Sequence, residues 1–211
     1  MGKHLPERQK WLETALQGLA FWIGHRHSLY RHYPLPEGAL VAEACNLIQA
    51  NIPDSMVLFP ECMYRNLVSE GIQLEGIGNQ ARADLVICES VAKSIGRDGN
   101  LSQHVCLVME VKRGGSNVQS INTDLIRLHT LLGNSPPDVR AFLIIVAESR
   151  APRRFVKGGK SILGPHEIPD SDGHYRVRRS VKAAASFSGK ESAHYVCLLE
   201  VFLKGQRASE I

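Results

Sequence analysis

A chain of 211 residues, 44% apolar and 22% charged, is long enough for one substantial globular domain and has neither a disordered nor a membrane-like composition. Twenty-five Lys and Arg against 21 Asp and Glu leave a net charge of +4, which permits an anionic partner without requiring one. The longest apolar run, AFLIIVA at 141–147, is too short to cross a bilayer, and MGKHLPERQKWLE lacks the apolar centre of a signal peptide, so a soluble cytoplasmic protein with no membrane partner is expected.

Residues 7–23 repeat apolar side chains at helical spacing (Trp11/Leu12, Ala15/Leu16, Leu19/Ala20), with Pro6 suited to the entry. A second helix is predicted from Glu37 to Ala50, opened by Pro36 and halted before Pro53. Its apolar arc places Glu43, three residues after Leu40 and four before Leu47, at the rim of the buried stripe. Three strands follow, at 56–64, 83–88 and 104–112, the last two separated by a polar excursion with Asp98-Gly99 as its turn. Val118, Ile121, Leu125, Leu128 and Leu132 then mark a helix that Gly133 ends and Pro136-Pro137 prevents from resuming. AFLIIVA reads as a strand buried on both faces that returns to the sheet. AHYVCLLEVFL at 193–203 is the final strand, pairing with HYRVRRSVKAAASF. The fold class is therefore α/β, with the strands at 56–64, 83–88 and 104–112 forming the heart of a sheet.

Cys45, Cys62, Cys88, Cys106 and Cys197 are odd in number and never spaced C-x-x-C, a pattern of buried free thiols rather than of a zinc site or disulfide framework. GGKS at 158–161 is not a phosphate loop, because Arg154 stands where glycine is required and Gly164-Pro165 cuts short any following helix. His25, His27 and His32 lie close in sequence, but without a second cluster they read as a solvated or nucleic-acid-facing stretch.

The chemistry lies in CLVMEVKRGG at 106–115. Alternation puts Val105, Leu107, Met109 and Val111 on one strand face and Cys106, Val108, Glu110 and Lys112 on the other. A carboxylate and an ammonium thus leave the same face about 7 Å apart. Asp84 opens the preceding apolar strand, where an acid buried alone would cost several kcal/mol. A divalent ion between Asp84 and Glu110 would satisfy both, and hard oxygen donors suit Mg²⁺ or Mn²⁺. Lys112 would then meet the scissile phosphate and orient or help deprotonate the attacking water. Glu61, in FPECMY, shares a predicted face with Val57, Phe59 and Met63, where an acid is out of place, and is an alternative or additional ligand to Glu43.

Asp84 in RADLVI followed by Glu110-Val111-Lys112 in VMEVKR, with Glu43 on an earlier helix and NTDLIRL on the helix that follows, resembles the PD-(D/E)xK phosphodiesterase superfamily of restriction-endonuclease-like nucleases. The resemblance covers about residues 37–147. Ala83 stands where the motif proline is usual, and Gln119 is followed at the Q-x-x-x-Y spacing by Thr123, which leaves the RecB-like branch unassigned. The resemblance implies a restriction-endonuclease-like core, a mixed central sheet flanked by helices, and metal-dependent cleavage of phosphodiester bonds, with Asp84, Glu110 and Glu43 as acids and Lys112 as the catalytic lysine. It divides one domain, 1–211, into a helical extension at 1–36, a catalytic core at 37–147 and a basic insertion at 150–182.

Within that insertion Arg153, Arg154, Lys157, Arg176, Arg178 and Arg179, joined by Arg113 beside the motif, are candidate contacts to a phosphate backbone. The expected partner is nucleic acid, DNA in preference to RNA, with a homodimer left open. The alternative is a catalytically inactive nucleic-acid-binding or scaffold module of the same fold.

Overall fold

The computed structural model describes residues 10–30, 35–148, 150–183 and 193–205. Strands β1 (Met56–Met63), β2 (Arg82–Glu89) and β3 (Val105–Arg113) form an antiparallel meander. Helix α3 (Val118–Gly133) then carries the chain to β4 (Arg140–Ala147), which pairs parallel to β3. A two-residue hairpin, β5 (Val156–Lys157) with β6 (Lys160–Ser161), stands apart from the main sheet. β7 (Pro165–Glu167), β8 (His174–Ala183) and β9 (His194–Phe202) complete that sheet in the order β1-β2-β3-β4-β9-β8-β7. It is a mixed sheet, as expected, and its seventh strand, β7, lies in the stretch read as a basic insertion.

Helices α1 (Lys10–Leu29) and α2 (Glu37–Gln49) cover one face, burying Leu12, Leu16, Leu19, Ile23, Leu40 and Ile48 against Leu85, Met109, Phe142 and Leu198. Helix α3 covers the other face, setting Ile121, Leu125 and Leu128 on Val86, Val108, Leu143 and Leu199. Its start is fixed by Asn117, whose side-chain oxygen accepts the Ser120 amide at 2.6 Å. β4 is buried on both sides, so its continuous apolar run is what a central strand requires.

Three expectations change. α1 runs to Leu29 rather than stopping at residue 23, because packing of the buried Gly24 overrides its poor helix propensity; Pro6 and residues 7–9 lie outside the described residues, as do His32 and residues 184–187 of the predicted last hairpin. Val105 and Cys106 exchange faces, Val105 packing toward α3 and Cys106 toward α1 and α2. A register shift between Ile87 and Cys88 causes this by displacing the start of β3 by one residue. Residues 150–182 are not a mere insertion, since they supply β7 and most of β8 to the main sheet. No described helix is long and apolar enough to cross a membrane.

A charged knot closes the end of the sheet opposite Lys112. Glu200 on β9 accepts from Arg140 on β4 at 2.7 and 2.9 Å and also pairs with Arg178 on β8. Arg178 sits at a bulge between Val177 and Arg179 and its side chain is only 9% exposed, so it is a structural partner of Glu200 rather than a phosphate contact. Removing Glu200 strands two guanidinium groups. Glu200→Ala should lower stability by about 3–5 kcal/mol in urea unfolding, and a loss below about 1 kcal/mol would mean that the knot is solvated.

Candidate active site

The ladder between β2 and β3 stops short. Its last pair toward this end is Leu85 with Met109, although β2 continues along β1 to Arg82 and β3 continues along β4 to Arg113. Each strand follows its outer neighbour, and a fork opens between them. The Asp84 carboxylate fills the vacated ladder position, its Oδ2 accepting the Val111 amide at 2.7 Å. That amide would otherwise be an orphan donor at a sheet interior.

Glu110 enters the fork from β3. It is 4% exposed, and its Oε1 accepts from the Tyr64 hydroxyl at 2.5 Å. Tyr64, in the short 3-10 turn Tyr64–Asn66 after β1, is itself buried. Glu110 and Asp84 are close enough that each shifts the other's titration. Burial first, then the Asp84 charge, holds the Glu110 carboxyl well above the ordinary carboxylate range. Burial likewise raises Asp84, with Glu61 adding to it and the Val111 amide opposing it. Burial and the Glu110 charge push the Tyr64 phenol well up, so it remains a donor.

Lys112 leaves the same face two residues on. Its Nζ donates to Glu37 Oε1 at 2.8 Å and lies 3.0 Å from Asp124 Oδ2. Burial alone would lower the ammonium's pKa, but Glu37 and Asp124 outweigh it and the net shift is upward. Lys112 is therefore a fixed cation at neutral pH and cannot act as the base that deprotonates water. Asp124, on α3 and 3% exposed, also faces Arg127 at 3.4 Å, and burial keeps its own pKa raised despite Lys112.

The sequence-predicted trio Asp84, Glu110 and Lys112 is thus brought together. Glu43 is not brought into its hydrogen bonds or ion pairs: the acid that α2 delivers is Glu37, one and two-thirds turns earlier in the helix. Glu61 is exposed at a positive φ of 55°, where the pairing of β1 with β2 skips it. That kink turns it off the strand face predicted for it, although its charge still reaches Asp84.

Tyr64, Glu37 and Asp124 are the residues that sequence reasoning missed. Asp124 left a signal, because it stands between Ile121, Leu125 and Leu128 on the buried stripe of α3. Of the basic candidates, Arg153 and Lys157 are exposed. Arg113 is held by Glu148 at 3.4 Å, and Arg176 is half-buried over the Phe202 ring. Arg154 is committed to Asn122 at 2.7 Å and to Tyr175 at 3.3 Å, so it clamps the chain to α3 rather than meeting solvent.

His25 and His27 lie on one helix, with His25 exposed and His27 against the buried His194 ring at 4.7 Å. His27 thus packs within the fold, while His25, Leu29 and Tyr30 face solvent as a solvated stretch would. The five cysteines are free, and burial raises the thiol pKa values of Cys62 and Cys197 to about 11 and of Cys88 to about 12.

Two hard carboxylates meeting in a fork, each costly as an anion, are a donor pair that a divalent ion fits, with water and substrate oxygens completing its shell. Among the described residues no group of three or more His, Cys, Asp or Glu side chains is arranged to hold a metal ion, so the protein itself offers a partial shell. The chain matches no protein-family model, no curated protein and no solved structure.

A raised carboxyl pKa in the folded state means stability that is full below the unfolded value, ordinarily about 4.3 for Glu, and is lost as pH rises through the folded value. Glu110→Gln keeps an acceptor for Tyr64 and removes the charge. Its urea midpoint should match the parent near pH 4 and exceed it increasingly toward pH 8; a variant less stable than the parent at pH 8 would show that Glu110 is not destabilised as an anion.

Proposed function

We propose that this chain is a metal-dependent nuclease that hydrolyses phosphodiester bonds, DNA being the favoured substrate. The observation that carries the reading is the convergence of Asp84 and Glu110 in the β2–β3 fork, with Lys112 two residues along the same face. The mixed sheet with helices on both faces and the amphipathic helix after the motif strand agree with a restriction-endonuclease-like core.

Asp84 and Glu110 would hold Mg²⁺ or Mn²⁺, which when bound lowers the pKa of a water and draws charge from the phosphoryl oxygens. Tyr64 fixes the rotation of the Glu110 carboxyl group through Oε1. The Val111 amide fixes Asp84 in the same way. Lys112, kept protonated by Glu37 and Asp124, supplies a preorganised positive charge for the oxygens on which negative charge develops during in-line attack. The proton leaving the nucleophilic water goes to solvent or to a substrate oxygen, not to Lys112.

Purified protein should cut plasmid, linear or single-stranded DNA only when Mg²⁺ or Mn²⁺ is added. Lys112→Ala and Asp84→Ala should each reduce cutting by about 10²-fold or more, and undiminished cleavage by either variant refutes the assignment. Glu37→Gln should slow cleavage about tenfold by loosening Lys112, with a smaller effect from Glu43→Gln; the reverse order would restore Glu43 as the third acid. Mn²⁺ should raise the thermal midpoint of the parent and not that of Asp84→Ala, a readout that needs no turnover.

One observation favours a second reading. Lys112 is already neutralised by two carboxylates, as expected of a non-catalytic nucleic-acid-binding module that keeps the fold. That module would bind DNA in a salt-sensitive manner, show no Mg²⁺-dependent cutting and lose nothing on Asp84→Ala.

A further inference from the structure

Strand pairing draws a straight line from Lys112 across the sheet. Lys112 pairs with Ile145, Ile145 with Cys197, and Cys197 with Ser180 on β8. Three inter-strand steps separate the two ends of this line, about 14 Å at the usual strand spacing. β3, β4 and β8 run in the same direction, so Lys112 and Ser180 lie toward the same, carboxyl-terminal end of their strands. Ser180 itself lies on the α3 face, donating to the Sγ of Cys197, whereas Gln17 of α1 and Val181 carry the lining of the adjoining groove round the edge of β8 toward the α1 face.

Beside Ser180 an open groove of about 480 Å³ is lined by Lys160, Arg178, Arg179 and Lys182 with Gln17, Ser161 and the hairpin glycine Gly159. Its basic character is built in. Among the described residues, β7 pairs with β8 only as far as Arg176 and no other strand pairs with the outer edge of residues 177–183. The β5–β6 hairpin comes up to that edge and is tied there by the Ser161 and Ser180 hydroxyls, 2.8 Å apart. The tie sets the exposed Lys160 near the exposed Lys182, and neither ammonium has a carboxylate partner among the described residues. Arg178 is withdrawn to Glu200, and Arg179, 46% exposed, faces Glu13 at 3.6 Å. The free positive charge of the groove is thus Lys160 and Lys182, supported by Arg179. Arg150 and Arg153 are exposed on the chain that leads from β4 toward the hairpin.

We propose that this groove is a phosphate-binding site that grips the backbone of a nucleic-acid strand about four nucleotides away from the phosphate at Lys112, at 3.4 Å per stacked nucleotide. The choice of nucleic acid as the polyanion rests on the nuclease reading; the groove itself rests on register, edge exposure and charge. It gives the protein a hold on its substrate that the carboxylate-lined fork, which repels phosphate, does not provide. The hold is indifferent to base sequence, because it reaches only backbone charge.

The test is equilibrium binding of fluorescein-labelled single-stranded DNA to the full chain in EDTA, where cleavage plays no part. Lys160→Ala/Lys182→Ala alters two exposed side chains and should leave the unfolding midpoint in place. On an oligonucleotide of about twelve nucleotides it should lower affinity at least about tenfold and reduce the slope of log affinity against log salt by about 1.4, roughly 0.7 per lysine on a single strand. An oligonucleotide of about three nucleotides, too short to span from fork to groove, should lose the cooperative gain in length that the parent shows.

Lys93→Glu, at the opposite end of the sheet, serves as the charge control. Affinity and salt slope unchanged in the double variant, or lowered equally by Lys93→Glu, overturn the proposal. So does a parent that ignores DNA but binds anionic phospholipid vesicles through Lys160 and Lys182. A parent that binds DNA through the groove yet never cuts it with Mn²⁺ upholds the groove and removes the nuclease reading; a parent that cuts DNA with the double variant unaffected does the reverse.

Discussion

A single hydrogen bond, from the Val111 amide to the Asp84 carboxylate, marks where this sheet opens. Had β2 continued alongside β3, the amide would face a carbonyl and the two strands would close over apolar side chains, as they do from Leu85 to Ile87. With an acid in that place the ladder ends and the strands follow β1 and β4 outward. The fork that results is walled by core on both sides, so Glu110 enters it with little contact with water. A charged group there is strained by its surroundings and is held by specific donors rather than by solvent.

The electrostatics of the fork follow from crowding. Asp84, Glu110 and Asp124 all have raised pKa values, chiefly because they are buried, while Lys112 stays protonated because two of its neighbours are acids. The arrangement works against folding stability, and under the proposed function that cost would be offset by a bound cation, the trade expected where a site is kept at a cost to its scaffold. Tyr64 limits that cost by giving one Glu110 oxygen a donor that does not ionise at neutral pH.

Much of this was legible in the amino-acid order. Period-two alternation from Leu107 to Lys112 put Glu110 and Lys112 on one face, and the apolar run after Asp84 placed that acid at the strand start; both survive because local pattern and sheet packing agree. Glu43 did not survive, since helical periodicity says which side of α2 faces inward but not which turn meets the end of β3, and the turn that does so is the first, at Glu37. Tyr64 acts from a turn 46 residues away from Glu110, a proximity that only the β1–β2 pairing creates. Arg178 looked like one more exposed arginine in a basic run until the bulge in β8 turned it toward Glu200. Alternation cannot anticipate a one-residue slip.

The kink at Glu61 has an outcome beyond its influence on Asp84. β1 is a border strand of the sheet, and it carries Pro60, which has no amide proton to offer, immediately before a residue at positive φ. At the far side, the length of β8 along which no other described strand pairs bears Arg179 and Lys182. Neither rim presents the flat, uncharged ribbon that a neighbouring molecule would need in order to add itself as an eighth strand, so copies of this chain are discouraged from stacking edge to edge into fibrils even at high concentration.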